Sequence, residues 1–498
     1  MLIWLILIPV IAAACIGLLR TPGRATALLS AGLTLVLGLC AVLSPTDCGH
    51  DCLSSFCGMP LQLSLALPLS RIMLLLTVLV TFAAVLGLKA PDKDAARSWA
   101  ISALLLSAGA TGAFLSDNII AFYGFHELAL IPTFVMIGCY GRGNRRTIAW
   151  TATLYLGLAS MVLLAGLLIL CSEMHAWSFS TLAAAVQAGI EPGSPALIGG
   201  LLLLGFGTLV SLFPFHTWAA PAYASAPTPI AMLHAGVLKK FGLYGLFTIA
   251  GIFGDKCGAL FGCWNNLLLL LLLGNVLWVG YVTVCQTRLD DMLGNSSVMH
   301  MGYLFLAFAA FIAGQGHNEL ALQGAALLML AHGLSIALLF LLTGQIEAQT
   351  RTLELDSMGG LAQKLPYLGF MFGLAGLASV GLPLLANFAG EFTIFVSAFA
   401  DWVPGSCLTT CDCILSRPFS ALSQMLGGLG PVQLTLVFAL WGLVISAIYM
   451  LRAFRHIFEA DVAHASARAD KLSLADMVAA AFLALFIVLF GILPPTCL

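Results

Sequence analysis

Long apolar segments separated by short polar ones make up almost the whole sequence. Runs of about 20 apolar residues are long enough to cross a bilayer as an α-helix, and this pattern predicts about fourteen such spans. The predicted spans are 2–19, 25–44, 68–88, 98–115, 117–138, 148–171, 196–220, 230–252, 265–286, 291–313, 320–345, 366–400, 432–455 and 472–493. The pattern therefore predicts an all-α polytopic membrane protein.

Two of these spans contain sequences that break helices. Pro214 lies in the second half of the seventh span, and Gly381-Leu382-Pro383 lies in the middle of the twelfth. Proline removes a backbone donor and clashes with the preceding turn. We expect both spans to be broken helices, whose freed backbone groups need partners from the protein or from water.

Composition agrees with a membrane protein and excludes a chain of soluble domains. Hydrophobic residues make up 61% of the sequence, charged residues make up 8%, and the mean hydropathy is +1.04. Soluble domains carry about 25% charged residues. The net charge of -2 gives no indication of nucleic-acid binding. The first apolar run lacks a charged leader, so no cleavable signal peptide is expected.

The distribution of basic residues predicts the orientation. Loops after spans 1, 3, 5, 9, 11 and 13 contain Arg20, Arg24, Lys89, Lys93, Arg97, Arg142, Arg145, Arg146, Arg288, Arg351, Lys364, Arg452, Arg455, Arg468 and Lys471. The loops on the other side contain only Arg71, Lys256 and Arg417. Because basic loops stay in the cytoplasm, both termini are predicted to lie on the outer side.

Cysteines are concentrated in the predicted outer loops. These are Cys48, Cys52, Cys57, Cys257, Cys263, Cys407, Cys411, Cys413 and Cys497. Their location suggests disulfides in an oxidising compartment. Two other interpretations stay open: a metal site in "CLTTCDC" (407–413), and unpaired cysteines acting as small hydrophobes.

Few ionisable residues fall at membrane depth, and each is therefore a functional candidate. The acids and lysines are Glu127, Lys239, Lys240 and Glu391, and the histidines are His126, His216, His234, His300 and His332. Burying a charge there costs at least about 2.5–3.5 kcal/mol. Two acids and two lysines sum to zero charge, as expected for a lateral proton relay. The alternative is a structural ion pair for the charged groups and a hydrogen-bonded core position for each histidine.

Five segments together resemble one family. They are "FYGFHELALIP" (122–132), "LFPFHTW" (212–218), "GVLKKFGLYG" (236–245), "NSSVMHMGYL" (295–304) with "LAHGLS" (330–335), and "GLPLLANFAGEF" (381–392). In this order they resemble the M-type (chain 4) antiporter-like membrane subunit of respiratory complex I, the proton-pumping NADH:quinone oxidoreductase. The resemblance covers residues 120 to 460, to within a few positions.

The resemblance implies an architecture. Two five-helix repeats of inverted topology, spans 4–8 and 9–13, would each contain one broken helix and one proton half-channel. The implied divisions are N-terminal helices in 1–115, a first repeat in 98–252, a second in 265–455 and a C-terminal helix in 456–498. A polar axis at mid-membrane would join the half-channels.

The resemblance also implies roles for particular residues. Glu127 matches the family's glutamate on span 5, and Lys240 matches its lysine on span 8. His300 and His332 match histidines that extend the axis, and Glu391 matches its terminal acid. The L-type, N-type and Mrp antiporter subunits typically carry lysine at the last position, so Glu391 favours the M type. His216 and His234 are further candidate members of the relay.

What surrounds the chain is likewise implied by the resemblance. The L-type and N-type subunits are the expected neighbours, in a bacterial inner (plasma) membrane. No nucleotide loop, quinone motif or haem ligand pair is apparent in the sequence. NADH, FMN, iron-sulfur clusters and quinone are therefore expected in partner subunits, with no cofactor or metal bound by this chain.

One departure from the family pattern concerns the first repeat. The family's lysine on span 7 lies seven residues before the histidine of Phe-Pro-Phe-His, and that position here is Leu209. A family histidine is likewise replaced by Tyr223. Either the first half-channel is crippled and the subunit mostly bridges its neighbours, or Lys239 supplies the counter-charge for Glu127. The second hypothesis predicts that Lys239→Met abolishes pumping.

Three other functions stay open from the sequence. The chain could belong to an Mrp-type cation/proton antiporter, to a membrane-bound hydrogenase-like complex, or to complex I as a non-pumping scaffold. Glu391 argues against the first, and the co-purifying subunits would decide the second. Leu209 is the observation that favours the third.

Overall fold

The computed structural model describes residues 1–44, 51–56, 59–400, 428–459, 461, 463, 466 and 470–495. The described helices are α1 (Leu2–Leu18), α2 (Gly23–Leu43), α3 (Pro68–Leu86), α4 (Lys93–Leu115), α5 (Ile119–Tyr140), α6 (Arg145–Met174), α7 (Phe179–Gln187), α8 (Pro195–Val210), α9 (Ala219–Ser225), α10 (Thr228–Gly236), α11 (Phe241–Phe253), α12 (Cys257–Leu273), α13 (Gly280–Val284), α14 (Leu289–Ala313), α15 (Glu319–Thr350), α16 (Leu361–Lys364), α17 (Pro366–Val380), α18 (Ala386–Ala400), α19 (Pro431–Ala439), α20 (Trp441–Phe454) and α21 (Leu474–Ile492).

These helices confirm the all-α polytopic prediction. Ten described helical runs are long and apolar enough to cross a membrane, and four shorter apolar helices accompany them. The run Thr228–Val284 is 57 residues long and covers two predicted spans, which meet at a turn around Gly254. Counting this run as two passes, and α17 with α18 as one broken pass, the described helices account for all fourteen predicted spans.

A small β-hairpin between α2 and α3 was not part of the prediction. Strand β1 (Asp51–Phe56) pairs antiparallel with β2 (Met59–Leu63), with Asp51 opposite Leu63. Ser64 then donates a backbone hydrogen bond of 2.7 Å to the Leu115 carbonyl at the end of α4. The hairpin lies in a connection outside the helices, so the prediction for the membrane-spanning part is unaffected.

The first predicted break is present, and protein groups satisfy the backbone it frees. Helix α8 ends at Val210, Ser211 is left-handed, and α9 begins at Ala219. The buried side chain of Asn275 accepts from the Phe213 N–H at 2.7 Å and donates to the Ser211 carbonyl at 2.9 Å. It also donates to the Val298 carbonyl on α14 at 3.1 Å. One amide therefore ties the break to the second half of the chain.

The second predicted break is also present. Helix α17 ends at Val380, and Gly381 follows with φ +82° before α18 begins at Ala386. A β-carbon at Gly381 would lie 2.3 Å from Oε2 of Glu391. Glycine is therefore required here for two reasons, the left-handed backbone and the closeness of a carboxylate.

A third interruption, in the predicted span 230–252, was not anticipated. Helix α10 ends at Gly236, a 3₁₀ turn covers Leu238–Lys240, and α11 begins at Phe241. A short 3₁₀ stretch within a helix often marks a functional position. Here the stretch contains Lys239 and Lys240, so neither lysine projects from a regular α-helix.

Burial separates central helices from peripheral ones. In the most apolar windows of α14 and α15, 94% and 100% of residues are buried, against 44% in α5 and α6. Helix α15 packs against α10, α14, α17 and α18, so it lies at the centre of the chain. His300 and His332 belong to the two central helices, whereas Glu127 belongs to a peripheral one. The inverted relation between the repeats stays a prediction.

Candidate functional site

The centre of the molecule contains a row of buried protonatable side chains that begins at Lys240. Its Nζ donates a 2.6 Å hydrogen bond to the Ala235 carbonyl and lies 3.0 Å from Nδ1 of His332. The interruption after α10 brings Nζ back to that carbonyl. Lys240 has no exposed surface, so these partners are what its ammonium has in place of water. A buried charge needs such partners.

His332 is followed in the row by His300. The two rings belong to neighbouring helices, α15 and α14, and their centroids are 5.5 Å apart. Both histidines are buried, at 2% and 1% exposure. The sequence-predicted residues Lys240, His332 and His300 are therefore neighbours in space although 92 residues separate the first two.

His300 lies between two backbone carbonyls. Its Nδ1 lies 2.8 Å from the Ser296 carbonyl, and its Nε2 lies 2.9 Å from the Ser379 carbonyl. A neutral imidazole has one N–H and can donate to one of these carbonyls, whereas an imidazolium can donate to both. Because Ser379 is in the last turn of α17, the ring also connects α14 to the end of the second broken helix.

Glu391 ends the row. Its Oε1 lies 4.0 Å from Nε2 of His300, and the residue is 2% exposed. Within the described part of the chain, that oxygen and both amide atoms of Asn387 are buried without a hydrogen-bond partner. Asn387 lies one helical turn before Glu391. Buried polar atoms of this kind are ordinarily satisfied by water, so proton exchange with water is chemically reasonable at this end.

Sequence reasoning missed several polar residues around this row. The hydroxyls of Ser296 and Tyr449 are 2.6 Å apart, which connects α14 to α20 beside His300. Asn387 and Ser296 both had a signal in the sequence, since each lies four residues from a predicted site residue on the same helix. Asn275 had no such signal, because its partners are far away in sequence.

Lys239 faces the second half of the chain. Its Nζ donates to the Ser297 hydroxyl on α14 at 3.3 Å and lies 5.2 Å from the centre of the Tyr223 ring. Among the described residues, the group within ion-pair distance of Glu127 is His126, at 3.6 Å. Lys239 therefore forms no direct ion pair with Glu127 among the described residues, and the hypothesis that it supplies the counter-charge stays a prediction. The 3₁₀ turn directs both lysines towards α14 and α15.

Glu127 lies at the edge of the chain. Its side chain is 34% exposed, whereas that of His126 is 3% exposed. The neighbouring Leu128 and Ile131 are 47% and 58% exposed, so the surface around the carboxylate is apolar. Leu209, at the position where the family has lysine, is buried at the end of α8 with 4% exposure.

The two remaining candidates lie around the first break. The His216 ring stacks on Phe213 with centroids 5.4 Å apart, and the His234 ring stacks on Trp218 at 5.7 Å. His234 also meets the edge of Tyr223 at 5.2 Å. Each histidine has a buried Nδ1 that lacks a hydrogen-bond partner in the described part of the chain. Both lie near Lys239, outside the Lys240-to-Glu391 row.

The metal and disulfide interpretations concern cysteines that lie mostly outside the described residues. Within the described residues no group of three His, Cys, Asp or Glu side chains could hold a metal ion. Cys257 is a buried thiol. The segment "CLTTCDC" and Cys48, Cys57 and Cys497 lie outside the described residues, so the disulfide interpretation stays a prediction.

Comparison with known sequences identifies the family. Residues 116–415 match the family described as "NADH:quinone oxidoreductase/Mrp antiporter, TM". The chain belongs to this family. The match contains Glu127, both lysines, both central histidines and Glu391, so the whole row lies in the part that defines the antiporter-like family.

Relatives within the antiporter-like family confirm the M-type resemblance. NAD(P)H-quinone oxidoreductase chain 4 1 of Synechococcus sp. is 32% identical over 357 residues, which is 71% of this chain and 61% of that protein. NADH-quinone oxidoreductase subunit M of Rickettsia typhi is 26% identical over 424 residues, 85% of this chain and 78% of that protein. The chain thus spans about three fifths of the length of the Synechococcus relative.

Solved structures of the antiporter-like family share the fold. A chain of respiratory complex I from Thermus thermophilus matches with a TM-score of 0.82 and 24% identity, over 99% of this chain and 96% of that one. A chain of an archaeal membrane-bound sulfane sulfur reductase matches with a TM-score of 0.83 and 22% identity, over 98% of this chain and 76% of that one. These likenesses show the fold of the chain.

Proposed function

We propose that this chain is the M-type membrane-arm subunit of a proton-pumping NADH:quinone oxidoreductase and that it conducts protons through the membrane. The names of its relatives, chain 4 and subunit M of such complexes, support the assignment. The observation that carries the proton-conducting role is the row of neighbouring protonatable side chains Lys240, His332, His300 and Glu391, buried at the centre of the fold.

The row can move a proton in balanced steps. The ammonium of Lys240 gives a proton to Nδ1 of His332, which leaves a neutral amine and an imidazolium. At the other end, the Nε2–H bond of cationic His300 breaks as an O–H bond forms on Glu391, which leaves a neutral imidazole and a carboxylic acid. Reprotonation of His300 from His332 restores both histidines. The row is reset when Lys240 takes up a new proton and Glu391 releases the one it received.

Electrostatics couples these steps to events outside the chain. In a medium of low dielectric constant, a charge that moves at one end of the row changes the proton affinity of the next group. Electron transfer from NADH to quinone would take place on FMN and iron-sulfur clusters in partner subunits. The L-type and N-type subunits would be the membrane neighbours, in a bacterial inner membrane. The distribution of Lys and Arg supports an orientation with both termini on the outer side.

The test is proton pumping by the intact complex in liposomes, driven by NADH with a short-chain quinone and followed with a pH-sensitive dye. We expect pumping by the wild type and its loss in Glu391→Gln, since the amide cannot accept the proton. NADH oxidation without proton movement in the wild type would overturn the proposal.

A cation/proton antiporter is the second candidate, because the family description includes Mrp antiporters. A chain of the Mrp complex from Dietzia sp. has a related fold, with a TM-score of 0.77 and 18% identity. Sodium-driven proton movement in the same liposomes without NADH would favour this candidate. Pumping that requires NADH and is independent of sodium would favour complex I.

A further inference from the structure

The first half of the chain lacks the lysine that the family pairs with Glu127, yet Glu127 has a neighbour that can carry a proton. His126 Nδ1 lies 3.6 Å from Glu127 Oε1. Adjacent residues on a helix point about 100° apart, so their side chains do not ordinarily face each other. The approach of these two side chains therefore needs a cause outside their own helix.

Packing against α11 supplies that cause. The His126 ring stacks on Phe241 with centroids 3.8 Å apart and ring planes 14° apart. Phe241 directly follows Lys240 in the chain, so the histidine rests on the segment that contains the central lysines. His126 is 2% exposed, and its ring occupies the space between the peripheral carboxylate and the core.

Three polar atoms at this point are left without partners. Within the described residues, His126 Nδ1, Glu127 Oε1 and the hydroxyl oxygen of Ser160 on α6 are all buried without a hydrogen bond. Ser160 also interacts with the Glu127 carboxylate. Buried polar groups in native proteins are almost always hydrogen-bonded. A small closure of the 3.6 Å gap, or a bridging water, would satisfy the histidine and the carboxylate together.

His126 also interacts with the inner residues. His234 on α10 is within electrostatic range of both His126 and Lys239. Lys239 has its own contacts with Ser297 and Tyr223, which leaves His126 as the group placed to balance Glu127.

We propose that His126 takes the place of the missing span-7 lysine, as the counter-charge and proton-exchange partner of Glu127. This inference rests on the proposed proton-conducting function. As the imidazolium transfers its proton, the Nδ1–H bond breaks and an O–H bond forms on Oε1, leaving a neutral imidazole and a carboxylic acid. Imidazole exchanges protons near neutral pH more readily than an ammonium group does.

The experiment compares His126→Phe with restoration of a lysine at the family position. Phenylalanine keeps the aromatic stack on Phe241 but cannot carry a proton. We expect His126→Phe to lower the protons pumped per NADH by about 10-fold or more. The double variant His126→Phe/Leu209→Lys should recover at least half of the wild-type value, whereas His126→Phe/Leu209→Met should not.

Two further variants separate the outcomes. His317→Phe removes an exposed histidine that pairs with Asp255, and it should pump like the wild type. Adding His126→Phe to Glu127→Gln should cause no further loss, because the two residues act as one pair. Wild-type pumping by His126→Phe, failure of Leu209→Lys to restore it, or an additive double loss would each overturn this inference. If Glu391→Gln pumps normally, the proposed function fails instead.

Discussion

The two halves of the chain each contain a glutamate at membrane depth, and the two glutamates have different surroundings. In the second half, Glu391 is 2% exposed and lies 4.0 Å from a histidine that is itself held by two carbonyls. In the first half, the Glu127 side chain is 34% exposed and its histidine neighbour rests on a phenylalanine ring. Glu391 is therefore enclosed in the core beside the row, whereas Glu127 reaches the edge of the chain.

The two glutamates also differ in whether the groups around them all belong to this chain. The central row, from Lys240 to Glu391, lies within one chain, and its members after Lys240 belong to the second half. The first half ends at the edge of the molecule, where Glu127 lies on an apolar surface that includes Leu128 and Ile131. Its carboxylate is therefore within reach of whatever covers that surface in the membrane. The comparison predicts that substitutions in the central row lower proton pumping more than substitutions around Glu127 do.

Lys240→Met is the strongest test of the central row. Methionine fills a similar volume but removes the proton carried next to His332, so we expect proton pumping to fall by about 100-fold. Pumping per NADH oxidised by the reconstituted complex measures the effect. Lys256→Met is the matched control, because Lys256 is 38% exposed and pairs only with Glu191 among the described residues. Pumping above a tenth of the wild-type rate would show that the row is bypassed.

Gly381→Ala tests whether the break positions Glu391. The new β-carbon would meet Oε2 of Glu391 at 2.3 Å, so the carboxylate must move away from His300. We expect pumping to fall about 10-fold, because a small misplacement of a reacting group has effects of that size or larger.

Gly189→Ala is the control for Gly381→Ala. Gly189 has nearly the same backbone angle, φ +81°, and no described atom lies within 4 Å of its added β-carbon. Its substitution should therefore cost only about 1–2 kcal/mol of stability for the left-handed backbone. Equal pumping by the two variants would mean that the break does not position Glu391 for proton transfer.

The sequence predicted the central row better than it predicted the surroundings of Glu127. The spans, both breaks and the residues of the central row could be predicted because glycine, proline and buried charges have strong local signals. The interruption at Leu238–Lys240 and the contact between His126 and Phe241 could not be predicted, since both depend on how α5 and α10 pack. For the same reason, charge balance alone could not predict that Lys239 contacts Ser297 and Tyr223.

Lys239→Met tests whether Lys239, which lies between the two halves, belongs to the central row. Its contacts are the Ser297 hydroxyl and the Tyr223 ring, outside the row itself. We expect pumping to fall about 10-fold, the factor that corresponds to losing one charge-assisted hydrogen bond. Ser297→Ala should lower pumping by less, because it leaves the ammonium in place. A loss in Lys239→Met as large as in Lys240→Met would place Lys239 in the row after all.

The smallest expected effect concerns Arg142, which ties the two halves together at the end of α5. Its guanidinium donates to the carbonyls of Ala224 and Ala226 at 3.1 and 3.2 Å and pairs with Glu347 on α15. Arg142→Lys keeps the charge but cannot make all these contacts at once. We expect the variant to lose about 1 kcal/mol of stability, as a lower melting temperature of the purified complex, with pumping unchanged.

Arg145→Lys is the control, because Arg145 is exposed and donates to one carbonyl, that of Cys139. If Arg142→Lys melts like the wild type but pumps less, this arginine couples the halves during turnover. Unchanged pumping would mean that communication runs through the central lysines and histidines.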